Sequence, residues 1–97
     1  MKKIQFSVRC VRECLLRHGQ VYTARGYDMS CAHVWVDGVG RCYRRKLGEV
    51  RSVDDLRPFV RYSGFGSAEQ WWRVLQGFVR GRRSWLYHVR IVNEASG

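Results

Sequence analysis

Cys31-Ala32-His33-Val34-Trp35-Val36-Asp37-Gly38-Val39-Gly40-Arg41-Cys42-Tyr43-Arg44-Arg45 sets the architecture of this chain. A strand runs from Cys31 to Val36, and the pair Asp37-Gly38 readily takes the left-handed dihedrals of a type I′ turn. A return strand begins near Val39 and reaches towards Val50. The centre of the molecule is therefore β-rich.

Upstream of this hairpin, Ile4 to Ser7 alternates as a short strand does. Val8, Val11, Cys14 and Leu15 then recur at helical spacing while Arg9, Arg12, Glu13 and Arg17 stay polar. Gly19 stops that helix, Val21 to Arg25 alternates again, and Gly26 with Asp28 marks a turn. Downstream, Asp54-Asp55-Leu56 starts a short helix that tolerates Pro58 in its first turn, and Tyr62-Ser63-Gly64-Phe65-Gly66 is loop. Ser67 and Gln70 have the spacing of a capping box, and Trp71, Val74, Leu75, Phe78 and Val79 mark the apolar face of a helix ending near Arg80. In the last segment Trp85, Tyr87, Val89 and Ile91 alternate with Leu86, His88, Arg90 and Val92, a strand apolar on both sides at its start and hence interior to a sheet. The element order β-α-β-β-β-α-α-β predicts one small α+β domain, residues 1–97, around a curved sheet with flanking helices.

Charge narrows the choice of partner. The chain carries 18 Lys and Arg against 8 Asp and Glu, a formal +10 on 97 residues, with 13% aromatics. Such a field collects polyanions, because each neutralised phosphate releases condensed counterions. The cations are mostly arginine, whose planar guanidinium forks onto phosphate and stacks on bases. RNA is the expected partner and DNA the alternative; an Arg-rich surface inherited from a hot or GC-rich source is the neutral reading. If six to ten phosphates are engaged, affinity should fall by about 10³–10⁵ between 50 and 200 mM salt. No apolar run approaches the roughly 20 residues of a membrane span, and charged residues interrupt any signal-like N-terminal stretch. The expected location is cytoplasmic, with no membrane partner and no cofactor.

Cys10, Cys14, Cys31 and Cys42 permit three readings: buried thiols, one or two disulfides, or a metal site. None of their spacings is a zinc signature, so no metal ligand is assigned. Cys31 and Cys42 would face one another across the hairpin.

Within Gly19-Gln20-Val21-Tyr22-Thr23-Ala24-Arg25, the period of a strand points Thr23 and Arg25 the same way. A hydroxyl beside a guanidinium suits an oxyanion. Thr23 as a nucleophile would need a base, and no Lys or Glu stands locally; His18, at a helix end, is nearest.

The Gly-x-x-Tyr-Thr-Ala-Arg run of Gly19 to Arg25, the segment Ser63-Gly64-Phe65-Gly66-Ser67-Ala68-Glu69-Gln70-Trp71-Trp72 and the closing Trp85-Leu86-Tyr87-His88-Val89 together resemble the ASCH family, a branch of the PUA-like superfamily, in a small single-domain member of archaeal type. The resemblance covers most of the chain in order. It implies a PUA-like, barrel-like curved sheet, a cleft lined by the Thr-x-Arg strand and the loop before the Gly-Phe element, and RNA binding. Some members similar in fold are ribonucleases or amidohydrolases acting on acetylated cytidine. In the amidohydrolase pattern a Lys precedes the Thr by three positions and a Glu lies two residues before the counterpart of Phe65. Here those places hold Gln20 and Ser63, so a binding role without catalysis is the expectation.

Around such a cleft, Gln20, Thr23, Arg25 and Ser63 would hydrogen-bond a base edge or a phosphate. Arg41, Tyr43 and Arg45 share one side of the return strand and form a platform for an unpaired base flanked by phosphates, with Arg44 and Lys46 beyond. Arg82 and Arg83, after Arg80, make a second cluster with Arg61 near it. Trp71 and Trp85 read as core, Trp72 and Trp35 fit either packing or a binding role, and His33 and His88 read as structural. A ribonuclease would have to use Thr23 with His18 or His88. A DNA-coating protein of a thermophile would bind duplex DNA and RNA alike.

Overall fold

Val11, Cys14 and Leu15 fall on one side of α1 (Arg9–His18) and are all buried. Gly19, at φ 72°, closes the helix by donating its N–H to Leu15 O at 2.8 Å, a left-handed turn that costs glycine nothing. The computed structural model describes residues 2–92. Five strands follow the expected order: β1 (Lys2–Ile4), β2 (Gln20–Arg25), β3 (Ala32–Val36), β4 (Gly40–Val50) and β5 (Ser84–Ile91). They form one mixed sheet in the order β1-β3-β4-β5-β2, with β1 parallel to β3 and every other pair antiparallel.

Three local expectations change. The first strand spans Lys2–Ile4, not Ile4 to Ser7. It stops early because the chain leaves the sheet to bury Phe6 with α1 and the strands. The hairpin between β3 and β4 pairs Val36 with Gly40, a three-residue connection in which Val39 N–H donates to Val36 O at 3.0 Å. Of the pair Asp37-Gly38 only Gly38 has positive φ, whereas a type I′ turn needs both. The segment around Pro58 is two 3₁₀ pieces, Val53–Asp55 and Arg57–Tyr62, instead of a short α-helix. Pro58, near the start of the second piece, has no N–H to donate, so no continuous α-helix runs through it from Asp54.

Residues facing each other in the antiparallel ladders share a side of the sheet. On the inner side Val21, Val34, Val36, Cys42 and Val89 meet α1 and Phe6 in one core. On the opposite side, near one end only, Val50 and Leu86 meet Leu56 and the apolar side of α2 (Ala68–Val79) in a second core. A bulge at Leu47, where Lys46 pairs with Tyr87 but Gly48 with Leu86, turns the long β4 to serve both.

Gly64 joins the two halves. Its φ is +89°, and a Cβ there would lie 2.4 Å from Cys10 O. The loop therefore rests directly on the backbone of α1. Ser67 caps α2 by accepting from Gln70 N–H at 3.1 Å, but Gln70 Oε1 accepts from Gly66 N–H instead of completing the capping box. Trp71 is buried as expected, while Trp85 is only half-buried, beneath the guanidinium of Arg83. All four cysteines are free: Cys14 and Cys42 are buried, Cys10 is half-buried and Cys31 is exposed. Cys42 stands opposite Val34, not Cys31, since the register displaces Cys31 beyond the end of β3.

Candidate functional site

Because α2 and the 3₁₀ pieces cover only one end of the outer side of the sheet, the rest is left open. The burial alternation shows this directly: in β3 His33 and Trp35 are exposed while Val34 and Val36 are buried. In β4 Arg41 and Arg45 are exposed, Tyr43 is half-buried, and Cys42 and Arg44 point inward. Register carries the array across four strands. Trp35 faces Arg41, His33 faces Tyr43, Tyr43 faces Arg90, Arg45 faces His88 and Arg90 faces Gln20. Lys3 continues it from β1 opposite Trp35. Among the described residues no Asp or Glu occupies a strand position on this side.

The rings are held in place by one another. His33 meets Tyr43 edge-on at 5.0 Å between centroids, and the guanidinium of Arg90 lies 5.5 Å from the Tyr43 centroid. His88 and Gln20 are bonded side chain to side chain at 2.9 Å, and Tyr22 packs between His88 and Phe59. Burial, then the nearby Arg45 and Arg90, push the His88 imidazole below its ordinary pKa. Burial is the larger cause, and the two guanidiniums add like-charge repulsion to it. Trp35, 44% exposed, offers an open indole in the same array.

The expected cleft around Thr23 divides into two sites. Thr23 and Arg25 lie on the inner side of β2 while Arg41, Tyr43, Arg45 and Gln20 belong to the outer side. The reason is register: Thr23 pairs with Tyr87 and Arg25 with Trp85, the inward positions of β5. Thr23 is only 8% exposed. It borders a cavity of about 320 Å³ together with Arg25, Phe65, Trp71 and Arg82. Ser63 is fully buried, donating to Val60 O at 2.8 Å and accepting from Phe65 N–H at 3.1 Å, so its hydroxyl holds the loop and is not presented to a ligand. His88 is on the other side of the sheet from Thr23, and His18 sits edge-on to Tyr62. Thr23 and either histidine are not assembled as a ribonuclease would need.

The remaining arginines separate by partner. Arg83 pairs with Glu49 at 2.7 Å, and that bond holds the Glu49 carboxyl below the usual range. Arg82 Nε donates to Val79 O at 3.0 Å. Arg61 lies over the Tyr62 ring beside a shallow hollow with Cys10, Arg17 and His18. Lys46 pairs with Asp28 at 2.5 Å, and Arg44 is buried, donating to Ser30 O at 3.1 Å. Of these, Arg83 and Lys46 are paired with carboxylates and Arg44 is turned inward, while Arg61 and Arg82 stay exposed.

Lys3, His33 and Arg90 join the array without a sequence expectation, and Trp35 takes the open side. Cross-strand pairing in the hairpin was a signal for His33 and Trp35, since closure near Asp37-Gly38 places them against Tyr43 and Arg41, whereas Lys3 and Arg90 enter through pairings with β1 and β5. Among the described residues no group of three or more His, Cys, Asp or Glu side chains is gathered, and no helix is long and apolar enough to cross a membrane. No protein-family model, curated protein or solved structure matches this chain.

Proposed function

We propose that the chain is a small RNA-binding domain of ASCH type, PUA-like in architecture and acting in the cytoplasm, that engages unpaired RNA on the open side of its sheet without catalysing a reaction. The observation that carries this reading is the array of Arg41, Tyr43, Arg45, Arg90, His33 and Trp35 across β3, β4 and β5. Guanidiniums suit phosphates, and exposed or edge-held rings suit the faces of bases, each stacked base contributing about 1–3 kcal/mol. Splayed single strands expose those faces, while a duplex hides them. Order and spacing of the Gly19–Arg25, 63–72 and Trp85–Val89 segments support the ASCH reading.

The array lowers the expected salt response. It presents four cations, Lys3, Arg41, Arg45 and Arg90. Four neutralised phosphates on a single strand imply a slope near −2.8, or about a 50-fold loss between 50 and 200 mM salt. Fluorescence anisotropy with labelled single-stranded RNA, the same sequence as DNA, and duplexes of each tests the reading. Trp35→Ala should weaken single-stranded RNA by about 5- to 100-fold, and Arg45→Ala should flatten the salt slope by about 0.7. Equal affinity for duplex DNA and single-stranded RNA would make the protein a DNA-coating one. Cleavage of the labelled strand, or release of acetate from acetylated cytidine, would make it an enzyme.

A further inference from the structure

The cavity at the free edge of β2, between Phe6 and Val8 on one side and α2 on the other, is built unlike the open array. Phe6 and Val8 form one wall, Phe65, Trp71 and Leu75 another, and β2 the floor. Phe65 and Trp71 lie nearly parallel, 12° apart with centroids at 6.0 Å. Tyr27 and Phe78 stand at the rim, 74% and 60% exposed, so the mouth is apolar as well. At about 320 Å³ the space falls at the small end of ligand sites.

Into this apolar space the protein sets a charge without a counter-charge. Arg25 lies half-buried at the floor with its guanidinium carbon 4.9 Å from the Phe6 centroid; among the described residues its side chain donates one hydrogen bond, to Gln5 O, long at 3.4 Å. Among the described residues no carboxylate pairs with it, and no Asp or Glu lines the cavity. Behind it sits a second cation. Arg44 is 5% exposed, its Nη1 has no hydrogen-bond partner among the described residues, and its charge acts on Arg25. Burial first, then Arg44, lowers the Arg25 pKa, the signature of two cations sharing a poorly solvated interior. A cation held in such a setting favours the arrival of a partner of opposite sign.

We infer that the cavity is a binding site for a small arylalkyl monocarboxylate, its carboxylate on Arg25 and its ring among Phe65, Trp71 and Phe78. The planar fork of a guanidinium fits a carboxylate with two parallel hydrogen bonds. Thr23, two residues along the same side of β2, borders the same floor. A monoanion with an apolar body fits better than a free phosphate, whose stronger hydration the apolar walls would not replace. Arg82, on the cavity wall, adds positive potential at the entrance. This site, at the β2 edge, shares no lining residue with the proposed RNA surface and does not depend on it.

Isothermal titration of the full chain with 4-phenylbutyrate, with its neutral amide and with inorganic phosphate is the test. A charge-assisted pair predicts that the acid binds about ten- to a hundredfold more tightly than the amide, with phosphate weaker than the acid. In Arg25→Gln the acid should fall to the level of the amide, and Val74→Trp, which fills the cavity from α2, should abolish both. Amide-proton shifts on adding the acid should map to Thr23, Arg25, Phe65 and Trp71 and leave Trp35 and Tyr43 unmoved. No heat with the acid at millimolar concentration, equal affinity for acid and amide, phosphate binding as tightly as the acid, or full affinity in Val74→Trp would each overturn the assignment.

Discussion

Replacing Gly64 with Ala should destabilise the protein severely, while the same change at Gly77 should stabilise it. A Cβ at position 64 would lie 2.4 Å from Cys10 O, 2.7 Å from Cys10 C and 3.0 Å from Val11 N. Carbon–oxygen contacts normally sit at about 3.3–3.6 Å, so the loop and α1 would have to separate by about 1 Å. The neighbours are helix backbone, which does not yield as a side-chain tip does. Overpacking of this kind costs about 1–3 kcal/mol, and holding a side chain at the Gly64 φ of +89° adds about 1–2 kcal/mol. A loss near 3 kcal/mol lowers the Tm of a domain this size by about 12–24 °C. Gly77, inside α2, has nothing within 4 Å of a built Cβ and no positive φ. There Ala should gain about 0.5–1 kcal/mol by helix propensity alone. Thermal and urea unfolding followed by far-ultraviolet circular dichroism measures both. A Gly64→Ala protein within about 0.5 kcal/mol of the parent would refute the docking of the 63–66 loop on α1, and with it the position of Phe65 in the cavity wall.

Other outcomes follow from the same geometry. Arg80 ends α2 in the left-handed conformation at φ 52°; Arg80→Gly should stabilise by about 0.5–1 kcal/mol and Arg80→Ala should not, and a destabilised glycine variant in urea unfolding would contradict that cap. His88 has a folded pKa below its ordinary value of about 6.5. The stability it contributes is present above that value and is lost as pH falls through it towards the folded pKa, because the unfolded chain then binds the proton more readily. The urea midpoint should therefore drop between pH 7.5 and 5.5 and drop less in His88→Gln; identical profiles would exclude the depression. Binding of RNA phosphates beside Arg45 and Arg90 should raise the His88 pKa, which an NMR titration of the imidazole reports, and an unmoved pKa would place the strand elsewhere.

Element order was legible from residue spacing, and so was element type outside the 3₁₀ pieces around Pro58: apolar period along α1 and α2, alternation in β2 and β5, and Gly19 as a stop. These are local signals, decided by how a few neighbouring side chains share a side of one element. Strand ends and turn type were less so, since Phe6 leaves the sheet only because a core waits for it on α1, and Asp37 avoids positive φ only because the hairpin closes one residue wider. Composition also established the +10 charge and the supply of arginines. Which side of the sheet each arginine takes was settled by pairing across strands distant in sequence. That pairing joins Trp35 to Arg41 and Tyr43 to Arg90 in one open array, sends Arg25 and Arg44 inward, and buries Ser63 in its own loop. Register is a contact between residues tens of positions apart, and a one-residue slip reverses every side chain, so no local pattern contains it.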